Sequence, residues 1–444
     1  MVLRHGPPLM VPVRMTNVIL GLGETGLSYA RYLAARGEEF VVLDDRVSAD
    51  RLAALRELSP GAEVATITGQ QLASARKVYV SPGIPLSLPS IVDNTKQEQL
   101  LGDIQLFGQL VEAPFVAITG TNGKSTVAQL VYEIAARQLA TVALGGNIGK
   151  PCLDLLSPDV DLYVLEVSSY QLELAAQLAA DVAVVLNLSA DHLDRYPSEQ
   201  DYFDTKLSLY DHCRAAVINR AVSCSIDESV PTVSIGMSPS DDADQFGVSG
   251  DTITLSGEPL VRKQDLRLSG SHNLLNVQAA LAIGQLLNLD MASMLEVAMT
   301  FPGLPHRSEF VEEVSGVRYV NDSKGTNPGA MIAAVTGEAG TKNLHLIAGG
   351  VAKNADFSML QPVIARYIKQ TYLIGEAADD LKAALPDVPG GIYSDLAAAV
   401  EAAKDNASPG DVVLLSPGCA SFDQFVNYSA RGEEFRRVVK GFAA

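Results

Sequence analysis

Tryptophan is absent from the 444 residues, and aromatic residues make up only 6%. Stacking of a ligand on an indole is therefore excluded. Cysteine is nearly as scarce. Cys152, Cys213, Cys224 and Cys419 are scattered and form no C-x-x-C pair. That excludes a zinc ribbon and gives no disulfide framework, so reduced thiols are expected. No apolar run approaches the ~18 residues of a membrane-spanning helix. Residues 1–15 hold Arg4, His5 and Pro7-Pro8 but no continuous apolar stretch. They read as a disordered extension and not as a signal peptide. A soluble, cytoplasmic protein is expected, with a monomer as the default.

Positive charge is also short: 33 Lys and Arg against 52 Asp and Glu leave a net charge of −19. That balance argues against nucleic acid and against a membrane surface. It leaves room for a nucleotide, because a phosphate site is a local arrangement of backbone N–H groups and one or two cations.

The chain is organised around Phe115-Val116-Ala117-Ile118-Thr119 followed by Gly120-Thr121-Asn122-Gly123-Lys124-Ser125-Thr126. The β-branched run predicts a buried strand. From Val127, apolar residues recur at helical spacing at Leu130, Val131, Ile134 and Ala135. Strand, glycine turn, Lys-Ser and helix together form a phosphate cradle. Lys124 would reach the terminal phosphates, and the Ser125 or Thr126 hydroxyl would sit on Mg²⁺. The turn is short, with Ile118 where the usual pattern places glycine.

Upstream, Val18-Ile19-Leu20 precedes Gly21-Leu22-Gly23-Glu24-Thr25-Gly26, a helix from Leu27 to Ala35, and a strand Phe40 to Leu43 ending in Asp44-Asp45-Arg46. This is a βαβ start with a G-x-G-x-x-G turn, which binds a nucleotide or a dinucleotide. The glycines do not say which. A strand at residues 77–80 ends in Ser81-Pro82-Gly83-Ile84-Pro85, a rigid loop at the edge where open α/β sheets hold ligands.

Two more buried strands end in polar residues: residues 161–165 before Glu166 and Ser168-Ser169, and residues 182–186 before Asn187, Asp191, His192 and Asp194. In a parallel sheet these ends lie side by side. Lys124, Ser125, Glu166 and His192 are therefore expected to converge. Glu oxygen, Ser hydroxyl and phosphate oxygens suit Mg²⁺. Lys206, on a helix expected over 196–209, reads from its own neighbours as a solvated lysine. Asn273 and Asn276 share one face of a long apolar helix after Gly270 and could cap it or contact a nucleotide. Phe301-Pro302-Gly303-Leu304-Pro305 makes a stiff linker. Beyond it, a hairpin around Ser315-Gly316, a helix capped by Asn327-Pro328, and further strands make a third α/β unit.

In this order these segments resemble the Mur ligase family of ATP-dependent, amide-forming enzymes of peptidoglycan precursor synthesis. The resemblance runs over nearly the whole chain from Val18. It rests on the short phosphate loop, Glu166-Val167-Ser168-Ser169, Asn187 through Arg195, His272-Asn273 with Asn276, His306-Arg307, and Asn321-Asp322-Ser323-Lys324. The compact first glycine turn, Ser81 to Pro85, and Ser416-Pro417-Gly418-Cys419-Ala420-Ser421-Phe422-Asp423 point to the members that join D-glutamate to UDP-N-acetylmuramoyl-L-alanine. An Asn-Pro-Arg motif, expected of diaminopimelate-adding members, is missing.

The resemblance implies an α/β chain of three domains after the extension. Residues 16–108 would form a Rossmann-like UDP-substrate domain, 109–304 a central ATPase-type parallel sheet, and 305–444 a Rossmann-like amino-acid domain. The UDP-substrate would contact Thr25, Asp44, Arg46, Ser81, Gly83, Asn147 and His192. ATP would contact Gly120 to Thr126, Asn273, Asn276, Arg307 and Asp322. D-Glutamate would meet Lys324, Thr326, Lys353, Ser421 and Phe422. Lys124, Glu166, His192, Lys206 and Lys324 would be catalytic. Two Mg²⁺ ions would be held by Ser125 and Glu166 and by His192 and a carbamylated Lys206. In one departure, Gly349-Gly350 are followed by Val351-Ala352-Lys353, where the family commonly has Asp directly after the two glycines. Three other readings stay open: a different ligase of the family such as a folylpolyglutamate synthase, a nicotinamide oxidoreductase, and a non-enzymatic ATP-gated module.

Overall fold

A computed structural model describes residues 16–442 except 193–194, 269, 339–341 and 353–354. The β-branched runs do form buried strands, and they assemble into sheets with helices on both faces. The first sheet is parallel, in the order Glu63–Ala65, Phe40–Leu43, Asn17–Leu20, Val78–Val80, Leu100–Leu101. The central sheet is also parallel, in the order Thr232–Ile235, Ala216–Asn219, Val182–Val185, Phe115–Thr119, Leu162–Glu166, Val142–Gly146. A small antiparallel sheet, Phe246–Ser249, Thr252–Leu255 and Glu258–Arg262, is attached to it. The third sheet runs Glu309–Val314, Val317–Asn321, Val412–Leu415, Leu344–Gly349, Ile368–Ile374, Gly390–Ile392. Its first pair is the expected hairpin, turned by Ser315 and Gly316 at φ of 54° and 78°.

Register places the site. Ile118 pairs with Glu166, and Thr119 pairs with Val185. The glycine loop, Glu166 and the Asn187 segment thus leave the sheet at one edge. Helix bounds differ slightly from expectation. The phosphate-loop helix begins at Lys124, and the Lys206 helix is only Glu199–Leu207. Ser198 stops the latter at its start by accepting from Asp201 N at 3.2 Å.

The first and central sheets share one hydrophobic core. Leu27, Tyr29 and Leu33 pack in it with Phe107, Phe115, Cys152 and Tyr163. Phe107 sits edge-on to Phe115 and Tyr163, with ring centroids 5.6 and 5.2 Å apart. The expected division at 108/109 falls inside the helix Asp103–Leu110 that fills this junction. Arg31 adds a forked ion pair with Asp154 across it. The third unit has cores of its own on each face of its sheet.

Arg431 lies at the heart of that third unit, 1% exposed. It donates to Ser323 Oγ at 3.0 Å, Ser323 O at 2.8 Å and Cys419 O at 3.1 Å. Two site-bearing loops are thereby pinned together. Burial lowers its pKa to about 10, still well above neutrality. Arg431→Met should lower stability by about 3 kcal/mol, because buried carbonyls lose a charged donor. Urea denaturation would read this as a lower midpoint at an unchanged slope.

Candidate active site

Two loop glycines are forced by geometry. Gly120 and Gly123 have φ of 145° and 85°, and a Cβ on Gly123 would lie 2.5 Å from Asn276 Oδ1. Asn187 clamps the loop by accepting from Asn122 N at 2.9 Å and donating to Asn122 O at 3.0 Å. Lys124 folds back along the loop and donates to Gly120 O and Thr121 O, each at 2.9 Å. Its pKa is lowered, chiefly by burial. Thr121 Oγ1 lies 3.2 Å from Tyr202 Oη.

The four central residues converge as expected. Ser125 Oγ donates to Glu166 Oε2 and accepts from Arg307 Nη2 at 2.6 Å. Asn147 Nδ2 donates to the other Glu166 oxygen at 2.7 Å. His192, in the left-handed region at φ 55°, has Nδ1 2.8 Å from Tyr170 Oη. The Arg195 guanidinium lies 4.1 Å from the centre of the Tyr170 ring. Arg195 also forks onto Glu173 and donates to Ile84 O at 3.1 Å, reaching the first unit.

Lys206 contradicts the solvated reading of its own neighbours. It is 2% exposed, and its Nζ donates to Gly120 O at 3.1 Å. Burial, and then the nearby Lys124 cation, bring its pKa down to about 6. The short polar helix hides this because its Tyr202 and Lys206 face, one turn apart, points at the phosphate loop and not at water.

These groups line one cleft of about 310 Å³. Thr121, Asn122, Gly123, Lys124, Ser125, Asn147, Glu166, His192 and Lys206 come from the central unit, and Arg307, Lys324 and Thr326 from the third. A second recess beside Asn122, Gly123 and Thr126 has apolar walls from Leu268, Leu304 and Ala333. Asn273, Asn276, Arg307 and Asp322 also line it. Asn276 donates to Asn273 at 2.8 Å, and neither caps the helix Ser271–Leu286, whose start has no side-chain cap. Asp322 accepts from Ser416 Oγ at 2.8 Å and Ser308 N at 3.1 Å, and burial raises its pKa to about 7.

A third cavity of about 430 Å³ opens on the first glycine turn. Thr25, Asp44, Ser81, Gly83 and Asn147 line it, and Asn147 also lines the cleft. Asp44 accepts from Leu22 N at 2.6 Å and Arg46 N at 2.7 Å, so it braces the turn. Arg46 is not among the lining residues, and His192 lines the cleft instead.

The expected amino-acid set is only partly assembled. Lys324 and Thr326 line the cleft, whereas Ser421 is buried outside its lining. Phe422 is 68% exposed and does not reach the cleft, because its loop turns it to the surface. The ring under the Lys324 ammonium belongs to Tyr428, 4.1 Å away. Lys353 lies outside the described residues. Val351, where the resemblance implies a carboxylate, is held by its backbone: N donates to Ala420 O at 2.9 Å and O accepts from Ala420 N at 3.0 Å.

Sequence reasoning missed Tyr170 and Tyr428. Tyr170 sits one residue beyond the quoted Ser168-Ser169, and Tyr428 follows the helix cap Asn427, so each passes for ordinary local structure.

The donors fit Mg²⁺. Among the described residues, no group of three or more His, Cys, Asp or Glu could hold a metal alone. A Ser hydroxyl and a Glu carboxylate beside a phosphate loop suit an ion that completes its shell with phosphate and water.

A phosphate loop at a parallel-sheet edge, a cleft shared with a second α/β unit, and a separate glycine-turn cavity define a multidomain nucleotide-dependent α/β enzyme. Family comparison makes this specific. Residues 15–101 match the Mur ligase MurD-like N-terminal domain, 118–284 the Mur ligase middle domain, and 306–419 the Mur ligase glutamate ligase domain. The chain belongs to the Mur ligase family, whose members are ATP-dependent ligases that use Mg²⁺.

It is 43% identical over 448 residues to the UDP-N-acetylmuramoylalanine–D-glutamate ligase of Nitrosococcus oceani, covering 98% of each chain. It is 42% identical to that of Pseudomonas aeruginosa, covering 96% of this chain and 98% of the relative. Among solved structures, UDP-N-acetylmuramate-alanine ligase from Thermotoga maritima shares the fold, with TM-score 0.61, 15% identity and coverage of 96% and 99%. A pseudomurein peptide ligase from Methanothermus fervidus does so with TM-score 0.60, 17% identity and the same coverage. Among the described residues no helix is long and apolar enough to cross a membrane.

Proposed function

We propose that this protein joins the amine of D-glutamate to the L-alanyl carboxylate of UDP-N-acetylmuramoyl-L-alanine, with ATP, in peptidoglycan precursor synthesis. The observation that carries the reading is the single cleft holding Lys124, Ser125, Glu166, His192, Lys206, Arg307 and Lys324. Full-length similarity to ligases of that name supports the choice of substrates. Residues 16–108 would bind the UDP-substrate, 109–304 ATP and 305–444 the amino acid. The cleft residues come from one chain, so the proposed working unit is a monomer, and the proposed compartment is the cytoplasm.

The carboxylate attacks the γ-phosphorus, the bond to the β-phosphate oxygen breaks, and an acyl phosphate and ADP result. The amine then attacks the acyl carbon, inorganic phosphate leaves, and the amine gives up a proton. The loop N–H groups hold the phosphates, and Lys124 swings from the carbonyls of Gly120 and Thr121 to the γ-phosphate. Arg307 transfers from Ser125 to the same charge. Asn273, Asn276 and Asp322 bound the nucleoside recess. Lys324 and Thr326 orient the amino acid, with Ser421, Phe422 and Lys353 joining if the third unit closes further. Two Mg²⁺ ions, one at Ser125 and Glu166 and one at His192 and carbamylated Lys206, would neutralise the developing charge.

Phosphate release from ATP and UDP-N-acetylmuramoyl-L-alanine should appear with D-glutamate and not with L-glutamate, L-lysine or diaminopimelate. Release with another acceptor would keep the mechanism and change the substrate. No release with any of them would overturn the reading.

A further inference from the structure

Within that reaction, we infer that Asn327 is a positioning residue that latches the amino-acid unit onto the metal-side wall of the cleft. The inference rests on the ligase reading above. Asn327 caps the helix Pro328–Glu338, its Oδ1 accepting from Ala330 N at 2.7 Å. That contact fixes the amide orientation, so the other end must present Nδ2. Nδ2 donates to Asp191 Oδ2 at 3.0 Å, across the boundary between third and central units.

What Asn327 grips is itself connected to the chemistry. Asp191 Oδ1 accepts from His192 N at 2.9 Å, helping to hold His192 in its left-handed conformation. Two residues further along the helix start, a side chain on Gly329 would meet Ser189 Oγ at 3.2 Å, so the helix start backs closely onto this segment. Ser189 N donates to Thr121 Oγ1, and that hydroxyl donates to Ser189 O, both at 3.1 Å. A continuous path therefore runs from the Lys324–Asn327 loop, through Ser189 and Asp191, to the phosphate loop.

A second bridge, Arg307 to Ser125, occupies a hydroxyl that ATP and its cation would claim. The Asn327–Asp191 bond engages none of the proposed phosphate or metal contacts. It can persist through turnover and fix the distance between amine and acyl carbon, a placement to which rate is steeply sensitive.

The test separates the cap from the latch. Asn327→Asp keeps a good N-cap but sets a carboxylate against Asp191. Asn327→Ser keeps a cap and removes the donor. For Asn327→Asp, kcat should fall about 30-fold and KM for D-glutamate should rise, since facing like charges oppose closure. KM for ATP and the melting temperature should stay near wild type. The exchange Asp191→Asn with Asn327→Asp restores a donor opposite an acceptor, and should be faster than either single variant. Small-angle scattering with an ATP analogue and the UDP-substrate should show Asn327→Asp more open than wild type.

Wild-type kinetics in Asn327→Asp would overturn the latch. So would a double variant no faster than the singles, or a loss of activity that only follows a loss of melting temperature. The scattering comparison uses no amino acid. An opening seen there, with no D-glutamate-dependent phosphate release from wild type, would sink the substrate reading and leave the latch standing.

Discussion

Lys124→Ala is expected to reduce ATP turnover by about 10³-fold or more while the fold persists. The reason lies in what Lys124 touches. Among the described residues, its ammonium donates to two carbonyls of its own loop, at Gly120 and Thr121. Those carbonyls belong to a loop already fixed by Asn187 and by two glycines. Removing the side chain should therefore change stability by no more than about 1 kcal/mol. On the proposed mechanism, however, the transition state loses a cation assigned to the transferring phosphoryl group. Nucleotide binding should weaken but survive, because the loop N–H groups and the Asn273–Asn276 recess remain. ADP formation, nucleotide titration and a melting curve on one preparation separate these effects. Turnover within about tenfold of wild type would remove Lys124 from the chemistry.

The same variant acts on Lys206. Lys124 is the second cause, after burial, of the low Lys206 pKa. Without it, the Lys206 pKa should rise, so the two lysines form one electrostatic unit although 82 residues separate them. No local pattern announces this. The sequence shows where strands end, because a β-branched run giving way to glycine, Glu or Asn is a local signal. From those ends and the rule that parallel strands align, the convergence of Lys124, Ser125, Glu166 and His192 follows, and the register delivers it.

What the residues alone could not give comes from packing across units. Lys206 looks solvated because its helix is polar; only its burial against the phosphate loop reveals otherwise, and the family resemblance had already singled it out. Tyr170, Tyr428 and Arg431 look like ordinary interior or helix-start residues until their partners at His192, Lys324 and Cys419 are seen. Asn327 is legible as a cap but not as a bridge, since its second partner lies 136 residues away. The strand Val142–Gly146 was missed for a different reason: its glycines weaken the strand pattern, yet it forms the sheet edge that precedes Asn147.

Lys206→Ala should lower kcat about 10²-fold or more, and added acetate or propionate should restore part of it. The argument begins with the pKa. An ordinary lysine, at 10.5, is almost wholly protonated at neutral pH, whereas Lys206 at about 6 is mostly the neutral amine. Only the neutral amine attacks CO₂, forming an N–C bond and releasing one proton. The buried site thus favours the reactive form, and the proposed carbamate would exchange a buried neutral group for an anion suited to the proposed cation beside His192. Activity that depends on the carbamate should rise as pH passes upward through about 6 and fall below it.

Stability follows the same sign. Between about 6 and 10.5 the unfolded chain holds a proton at Lys206 that the unmodified folded chain does not, so this residue adds stability as pH rises through that window and loses it as pH falls toward 6. Lys206→Ala should flatten that slope. A short carboxylate entering the vacated space supplies the missing anion without the lysine. Rescue should saturate with carboxylate concentration, and chloride at equal ionic strength should give none. Wild-type activity should also drop when dissolved CO₂ is stripped and return with bicarbonate. If carboxylates fail to rescue and CO₂ removal has no effect, Lys206 acts as an amine donor to Gly120 O, and the second cation loses its anionic ligand.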